Sequence, residues 1–251
     1  MAYSGGVDSA LVLAVATQEL GEKALGVIGI SPSLDPGDLA QARATARLLG
    51  ARVRELSTDE FADERYAANP ANRCYFCKAE LHTKLTGLAK AEGYAVLLDG
   101  FQLDDLEEAR PGRQAGLERG VRSPLAESGF RKDSVRLLAR SLGIPVWDKP
   151  AAPCLSSRVV FGTRVTPEVV RRIGEAERLV RAALPGVRVL RVRQLGGTAA
   201  RIEVDAERVI DLKRQLAALT PRLLALGFAS VAAAPEGYRR GGANAPVPVT
   251  A

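Results

Sequence analysis

The sequence predicts an α/β protein, a doubly wound parallel sheet with a smaller C-terminal α+β domain, and three observations carry that expectation. Strand-like apolar runs alternate with helix-period segments as far as residue 98, the pattern of parallel strands joined by crossover helices. A glycine-rich loop, Ser4-Gly5-Gly6-Val7-Asp8-Ser9, runs straight into an apolar helix, as such loops do at the ends of parallel strands. Beyond residue 160 the order changes to helix, two alternating strands, helix, strand, which describes a separate α+β layer.

Taken in order, the first helix has Ala10 to Ala16 as its apolar body and ends near Gly21. At most the last residues of the strand that would aim the loop precede it, so the first strand is expected to be truncated. A strand follows over 24–30, then a helix opened by Asp35-Pro36 and closed by Leu48-Leu49-Gly50, with proline where the first turn tolerates it. Residues 52–56 read as a strand, 58–67 as a short helix, 75–92 as a helix ended by Gly93, and 94–98 as an apolar strand delivering Asp99-Gly100. Residues 101–124 are polar and broken by prolines, which suits a long functional loop with one short helix. A helix over 131–142 precedes the proline-rich stretch 149–158, and a domain boundary is placed just beyond it. The expected organisation is therefore 1–160, an α+β domain over 161–236 (helix 167–184, strands 187–194 and 199–204, helix 207–226, strand 229–233), and a disordered tail over 237–251.

Composition narrows the class. Hydrophobic residues make up 47% and charged residues 25% of the 251, ordinary globular values, and no apolar run approaches the roughly 20 residues of a membrane span. The formal charge of +6 arises from 35 basic against 29 acidic residues and favours an anionic partner: a nucleotide, a nucleic acid or another phosphate-bearing molecule. Three cysteines form an odd count without a secretory leader ahead of them, so a reducing cytoplasm is expected. The single histidine, His82, excludes multi-histidine metal sites and leaves a Ser-His-Asp triad one possible base.

In the loop, Gly5 and Gly6 let the backbone approach a polyphosphate, and the helix behind supplies unpaired N–H groups and a positive dipole end. Ser4 and Ser9 can donate hydroxyls, while Asp8 makes sense if Mg²⁺ sits between it and the phosphates. An ordinary glycine turn is the alternative; no Walker string is present. Cys74 and Cys77 at a helix N-terminus, flanked by Arg73 and Lys78, place two thiolates within reach of one metal. Cys154 is the remaining thiol, and three thiolates suit a [4Fe–4S] cluster with one iron open. Zinc would want a fourth ligand, for which His82 is the candidate, although it reads equally as a surface residue. A redox or structural C-x-x-C with an unrelated Cys154 is the bland alternative.

Arg158, Arg191 and Arg193 are candidates for gripping carboxylate or phosphate through the guanidinium fork. Arg191 and Arg193 alternate with apolar residues, so they read equally as a solvated strand face. Asp104 and Asp105 follow a strand end where ligands bind, or cap the next turn. Glu107 and Arg110 share those readings, and Arg110 is counted with the nucleotide-binding candidates. Trp147 reads as core.

The loop resembles that of the PP-loop ATP pyrophosphatase superfamily, which implies ATP use with release of AMP and pyrophosphate. The strings Asn72-Arg73-Cys74-Tyr75-Phe76-Cys77-Lys78, Asp99-Gly100-Phe101-Gln102-Leu103-Asp104-Asp105, Arg110-Pro111-Gly112, Gly120-Val121-Arg122-Ser123-Pro124-Leu125 and 147–158, ending Pro153-Cys154-Leu155-Ser156-Ser157-Arg158, together resemble the LarE family. These ATP-dependent sulfur transferases mature the nickel-pincer nucleotide cofactor of lactate racemase, and the similarity runs from residue 4 to about 235. The resemblance implies that pyridinium-3,5-biscarboxylic acid mononucleotide is adenylated and then thiolated. In single-cysteine members the sulfur comes from the cysteine matching Cys154, which is left as dehydroalanine. Members with three cysteines resemble cluster enzymes carrying sulfide on a [4Fe–4S] centre, and Cys74, Cys77 and Cys154 place the chain with them; the sulfide donor is unspecified. A homo-oligomer is expected, and no membrane or nucleic-acid partner. The competing readings are a PP-loop tRNA thiolase and a non-catalytic zinc C-x-x-C nucleic-acid-binding module.

Overall fold

The computed structural model describes residues 1–107 and 111–239. Arg110 and residues 240–251 of the expected tail lie outside the described residues. The chain divides into two compact units, one of Met1–Tyr66 with Ala71–Ala152, the other of Ala67–Pro70 with the chain from Pro153 onward. The division thus falls at Ala152/Pro153 rather than near 160, because the turn that follows Cys154 packs with the later helices: Leu155 lies against Gly174.

The first unit is α/β. It holds α1 (Val7–Leu20), β1 (Gly26–Ile30), α2 (Pro36–Leu48), β2 (Val53–Ser57), α3 (Glu64–Ala67, whose last residue belongs to the other unit) and α4 (Arg73–Glu92). The short helices α5 (Asp104–Glu107), α6 (Pro111–Leu117) and α7 (Pro124–Glu127) follow, and α8 (Lys132–Ser141) closes the unit. Strands β1 and β2 pair in parallel, Gly26 opposite Val53 and Ile30 opposite Ser57. Residues 1–3 extend that arrangement: Ala2 bridges Val27 in parallel, the Tyr3 N–H donates to Val27 O at 2.9 Å, and the Ala2 N–H to Leu98 O at 2.8 Å.

Two local expectations change. The 94–98 segment is not a full strand. Among the described residues its one ladder step is a parallel bridge between Leu98 and Arg122, because each flanking segment offers only a few extended residues to pair with. The 58–67 segment is a 3₁₀ turn (Glu60–Ala62) followed by α3; the Asp63 carboxylate accepts the Arg65 N–H at 2.9 Å and restarts the helix. Elsewhere local chemistry sets the ends. Asp35 caps α2, accepting the N–H groups of Gly37 and Asp38 at 2.8 and 3.3 Å, with Pro36 at the first helical position. Gly93 ends α4 in the left-handed region, as C-terminal glycines do. Tyr3, Leu11, Leu13, Ile28, Val135 and Ile144 form the core, with Trp147 packed against it.

The second unit holds α9 (Pro167–Ala183), β3 (Leu190–Gln194), β4 (Ala199–Val204), α10 (Val209–Ala225) and β5 (Ser230–Ala233). Its sheet runs β3-β4-β5, antiparallel between β3 and β4 and parallel between β4 and β5. Ile173, Leu190, Ile202, Leu212, Leu219 and Leu223 are fully buried. Gly237 and Tyr238, expected in a disordered tail, are held instead, since the Tyr238 N–H donates to Val204 O at 2.8 Å. Asn69, fully buried at φ 57°, donates through Nδ2 to Val160 O at 2.8 Å and Thr163 O at 2.9 Å. Among the described residues no helix is long and apolar enough to cross a membrane.

Candidate functional site

The loop of the first unit is built as its sequence demands. Gly5 stands at φ +73°, and a β-carbon there would lie 2.6 Å from Ala42 Cβ. Gly6 is the N-cap of α1 and no side chain caps that helix, so its first N–H groups remain directed outward from the helix end. The hydroxyls of Ser4 and Ser9 lie 3.1 Å apart, and Ser9 Oγ also donates to Gly6 O. The turn after residue 98 closes on this loop: a β-carbon on Gly100 would lie 2.8 Å from the Ser9 nitrogen. Next to it, the Asp99 carboxylate accepts from Ser123 Oγ at 2.7 Å and the Phe101 N–H at 3.1 Å. Burial raises the Asp99 pKa above the ordinary carboxylate value, against the pull of Ser123.

Asp8 is engaged by Lys132, whose Nζ reaches both carboxylate oxygens at 2.7 and 2.5 Å. Lys149 pairs with Asp38 at 2.9 Å with its side chain 15% exposed. Neither lysine was singled out by sequence; each meets its acid across more than 100 residues, which no local spacing encodes. Asp104 takes the Arg131 guanidinium and the Lys132 N–H, which hold its carboxyl below the usual range, the Lys132 N–H most of all. Glu107 also takes Arg131, and Asp105 accepts the Gln102 N–H at 3.1 Å. These acids therefore shape the turn that precedes α8.

Cys74 and Cys77 lie in the first turns of α4, Cys74 exposed and Cys77 half-buried. A three-residue separation puts both thiols on one side of the helix. Arg73 is buried with its guanidinium 6.0 Å from the Tyr66 ring. His82 is not a surface residue: it is 1% exposed, its Cε1 3.2 Å from where a Gly116 β-carbon would stand. Burial, with Lys78 and Arg119 adding, lowers its pKa to about 3.

In the second unit, Cys154 precedes a 3₁₀ turn, Leu155–Arg158. Its carbonyl accepts from the Ser157 N–H at 3.0 Å, Ser157 Oγ at 2.7 Å and Arg158 Nη1 at 2.9 Å. Arg158 Nη1 also donates to Pro153 O, while the rest of its guanidinium forks onto Glu177 at 2.9 and 3.2 Å. Arg158 thus positions the cysteine turn. Arg191 and Arg193 are buried, not a solvated face. Arg193 Nε donates to Glu203 at 3.0 Å and its Nη1 to Ser157 O at 3.1 Å; Arg191 Nη1 donates to Leu190 O at 2.7 Å. Desolvation first, then the charge of Arg158, lowers the Arg191 pKa to about 10.

Donor chemistry fits the two inorganic groups that the motifs imply. Cysteine thiolates such as those of Cys74, Cys77 and Cys154 are the donor type that iron–sulfur clusters take, and a carboxylate such as Asp8, here held by Lys132, is the donor type that magnesium takes. Among the described residues no three His, Cys, Asp or Glu side chains are gathered as a metal centre.

No family model matches the sequence. The chain is 45% identical to the uncharacterized protein slr1717 of Synechocystis sp. over 97% of its own length and 91% of that protein's. It is 34% identical to the pyridinium-3,5-bisthiocarboxylic acid mononucleotide synthase of Lactiplantibacillus plantarum over 97% of its own length and 88% of the synthase. It is 30% identical to the uncharacterized protein MJ0830 of Methanocaldococcus jannaschii, over 86% and 82% of the two chains. At 34% identity over 97% of its length to that synthase, the chain belongs to the LarE family.

Proposed function

We propose that the protein is an ATP-dependent, AMP-forming sulfur transferase that converts a carboxylate of pyridinium-3,5-biscarboxylic acid mononucleotide to a thiocarboxylate, in nickel-pincer nucleotide cofactor biosynthesis. The observation that carries this reading is the near full-length relationship to a synthase whose name states the bisthiocarboxylic product. The loop supports it, since no side chain caps the α1 N–H groups and the Ser4 and Ser9 hydroxyls, which bond each other and Gly6 O, stand in the same turn and can turn to a polyphosphate.

The chain's own groups have defined parts. The loop holds the pyrophosphate of ATP, and Lys132, poised on Asp8, offsets phosphate charge; a Mg²⁺ ion on Asp8 would neutralise further charge there. A substrate carboxylate oxygen attacks the α-phosphorus, the bond to pyrophosphate breaks, and an acyl adenylate results. A sulfur nucleophile then attacks the acyl carbon and AMP departs with the original oxygen, so oxygen is exchanged for sulfur. Arg191 and Arg193 grip an anionic group of the pyridinium nucleotide. Cys154 is the catalytic sulfur position, held by Arg158 and Ser157. A [4Fe–4S] cluster on Cys74, Cys77 and Cys154 supplies, when bound, a reloadable source of sulfide. Arg110 joins the nucleotide-binding residues on the family resemblance.

The test is anaerobic incubation of reconstituted protein with ATP, Mg²⁺, sulfide and the biscarboxylic nucleotide, following AMP and the mass change of oxygen to sulfur. Iron and acid-labile sulfide are measured beside it in the Cys74→Ala, Cys77→Ala and Cys154→Ala variants. Product formation that stops in Cys154→Ala, with iron lost in all three variants, is the expected result. AMP release without a thiolated nucleotide, or full turnover by Cys154→Ala, refutes the assignment. Zinc in place of iron removes the cluster and leaves Cys154 as a sacrificial donor.

A further inference from the structure

Five charged side chains are buried together in the second unit: Arg158, Arg191 and Arg193, with Glu177 and Glu203. The acids are heavily used. Glu177 takes the Arg158 fork and also accepts the Val192 N–H at 3.0 Å, while Glu203 takes both Arg193 and Arg201 at 3.0 Å. Among the described residues these three guanidiniums share two buried carboxylates, with Glu177 acting on Arg191 as well as Arg158, and burial makes the repulsion among guanidiniums expensive. A further favourable contact beside Arg191 and Arg193 lowers that cost.

The ring of Tyr238 is placed to do so. Its centroid lies 5.4 Å from Arg191 Cζ and 5.9 Å from Arg193 Cζ, both within cation–π range. The ring is anchored through the main chain, by the Tyr238 N–H to Val204 O and the Gly237 N–H to Ala234 O. The backbone that carries the ring is therefore held to the end of β4 and to the residue after β5.

We propose that Tyr238 is a positioning residue for an anion subsite formed by Arg191 and Arg193, its ring face holding the two guanidiniums together so that their donors converge on one phosphate or carboxylate group. The subsite deepens the sulfur-transfer reading and rests on it for the identity of the natural ligand. Ring truncation releases the pair to separate, so the anion is bound by one guanidinium at a time. The hydroxyl is dispensable, because cation–π attraction comes from the ring face.

Titration calorimetry with inorganic phosphate, nicotinate and nicotinic acid mononucleotide separates the phosphate source from the carboxylate source. It uses the full chain, with neither ATP nor sulfide present. Tyr238→Phe is expected to bind within about twofold of the parent, and Tyr238→Leu and Tyr238→Met to bind about tenfold more weakly, with unchanged urea midpoints. In turnover the non-aromatic variants raise KM for the pyridinium nucleotide and leave kcat unchanged. Equal binding by Leu or Met variants, a loss in Tyr238→Phe as large as in Tyr238→Leu, a loss that tracks a lower urea midpoint, or a parent that binds none of the three probes overturns the proposal. Ring-dependent binding without any thiolated product would instead sink the sulfur-transfer reading and leave Tyr238 in its role.

Discussion

At Gly5 a methyl group would meet Ala42 Cβ at 2.6 Å on a backbone already at φ +73°. Gly6, one residue on, has only Ser4 Oγ nearby, at 3.7 Å. Gly5→Ala should therefore cost about 2–4 kcal/mol from strain and overpacking, whereas Gly6→Ala should change stability by less than about 1 kcal/mol. Urea unfolding of the pair decides it, and equal midpoints would show that the loop relaxes around either methyl. The loop was legible because its parts are contiguous: one six-residue string fixes turn, hydroxyls and helix start. Arg191 and Arg193 were legible only as an alternation. What buries them comes from Glu203 on the adjoining strand, Glu177 on α9 and Tyr238 near the end of the described chain, partners that no local pattern reveals. Lys132 escaped notice for the same reason, since it meets Asp8 from the start of α8.

Helix α4 carries Cys74 and Cys77 at one end and His82 two turns on. His82 has a folded pKa of about 3 against an ordinary value of 6.5. The sign follows: the unfolded chain takes up a proton below pH 6.5 and the folded chain does not, so the contribution is intact above that pH and drains away as pH falls toward 3. The slope approaches about 1.4 kcal/mol per pH unit at its steepest. Urea midpoints of the parent and His82→Met between pH 7 and pH 4 isolate this component, and parallel curves would show that His82 is protonated in place. Helices were readable from caps and periodicity, as Asp35-Pro36 for α2 and Gly93 for α4 show. The 94–98 segment was not, since apolar character says neither how many residues a neighbour offers for pairing nor that the segment is covered, and Val96 is 49% exposed. Nor could alternation tell that the 58–67 segment breaks at Asp63, where a side chain competes with the helix for N–H groups.

Across the whole molecule, the chain passes between its two units three times, at Tyr66/Ala67, Pro70/Ala71 and Ala152/Pro153. The brief excursion through 67–70 is secured by Asn69, whose amide donates to the carbonyls of Val160 and Thr163 while its own carbonyl accepts the Gly162 N–H at 3.0 Å. Asn69→Ala leaves buried acceptors unpaired and puts alanine at a positive φ, so a loss of about 2–4 kcal/mol is expected. Asn69→Gly should recover the smaller, backbone part, and equal urea midpoints for the two would deny the backbone contribution. Sequence placed the change of architecture close to Cys154 but gave no hint of this excursion, because four residues ending in Asn-Pro read as an ordinary turn. Cys74 begins only four positions after Pro70, so the thiols of α4 hang on a short leash from residues that the other unit owns. For anyone recombining such chains the seam at 152 is a false one: a donor half cut there leaves behind the four residues its own turns were tied to, and a graft must carry both pieces or neither.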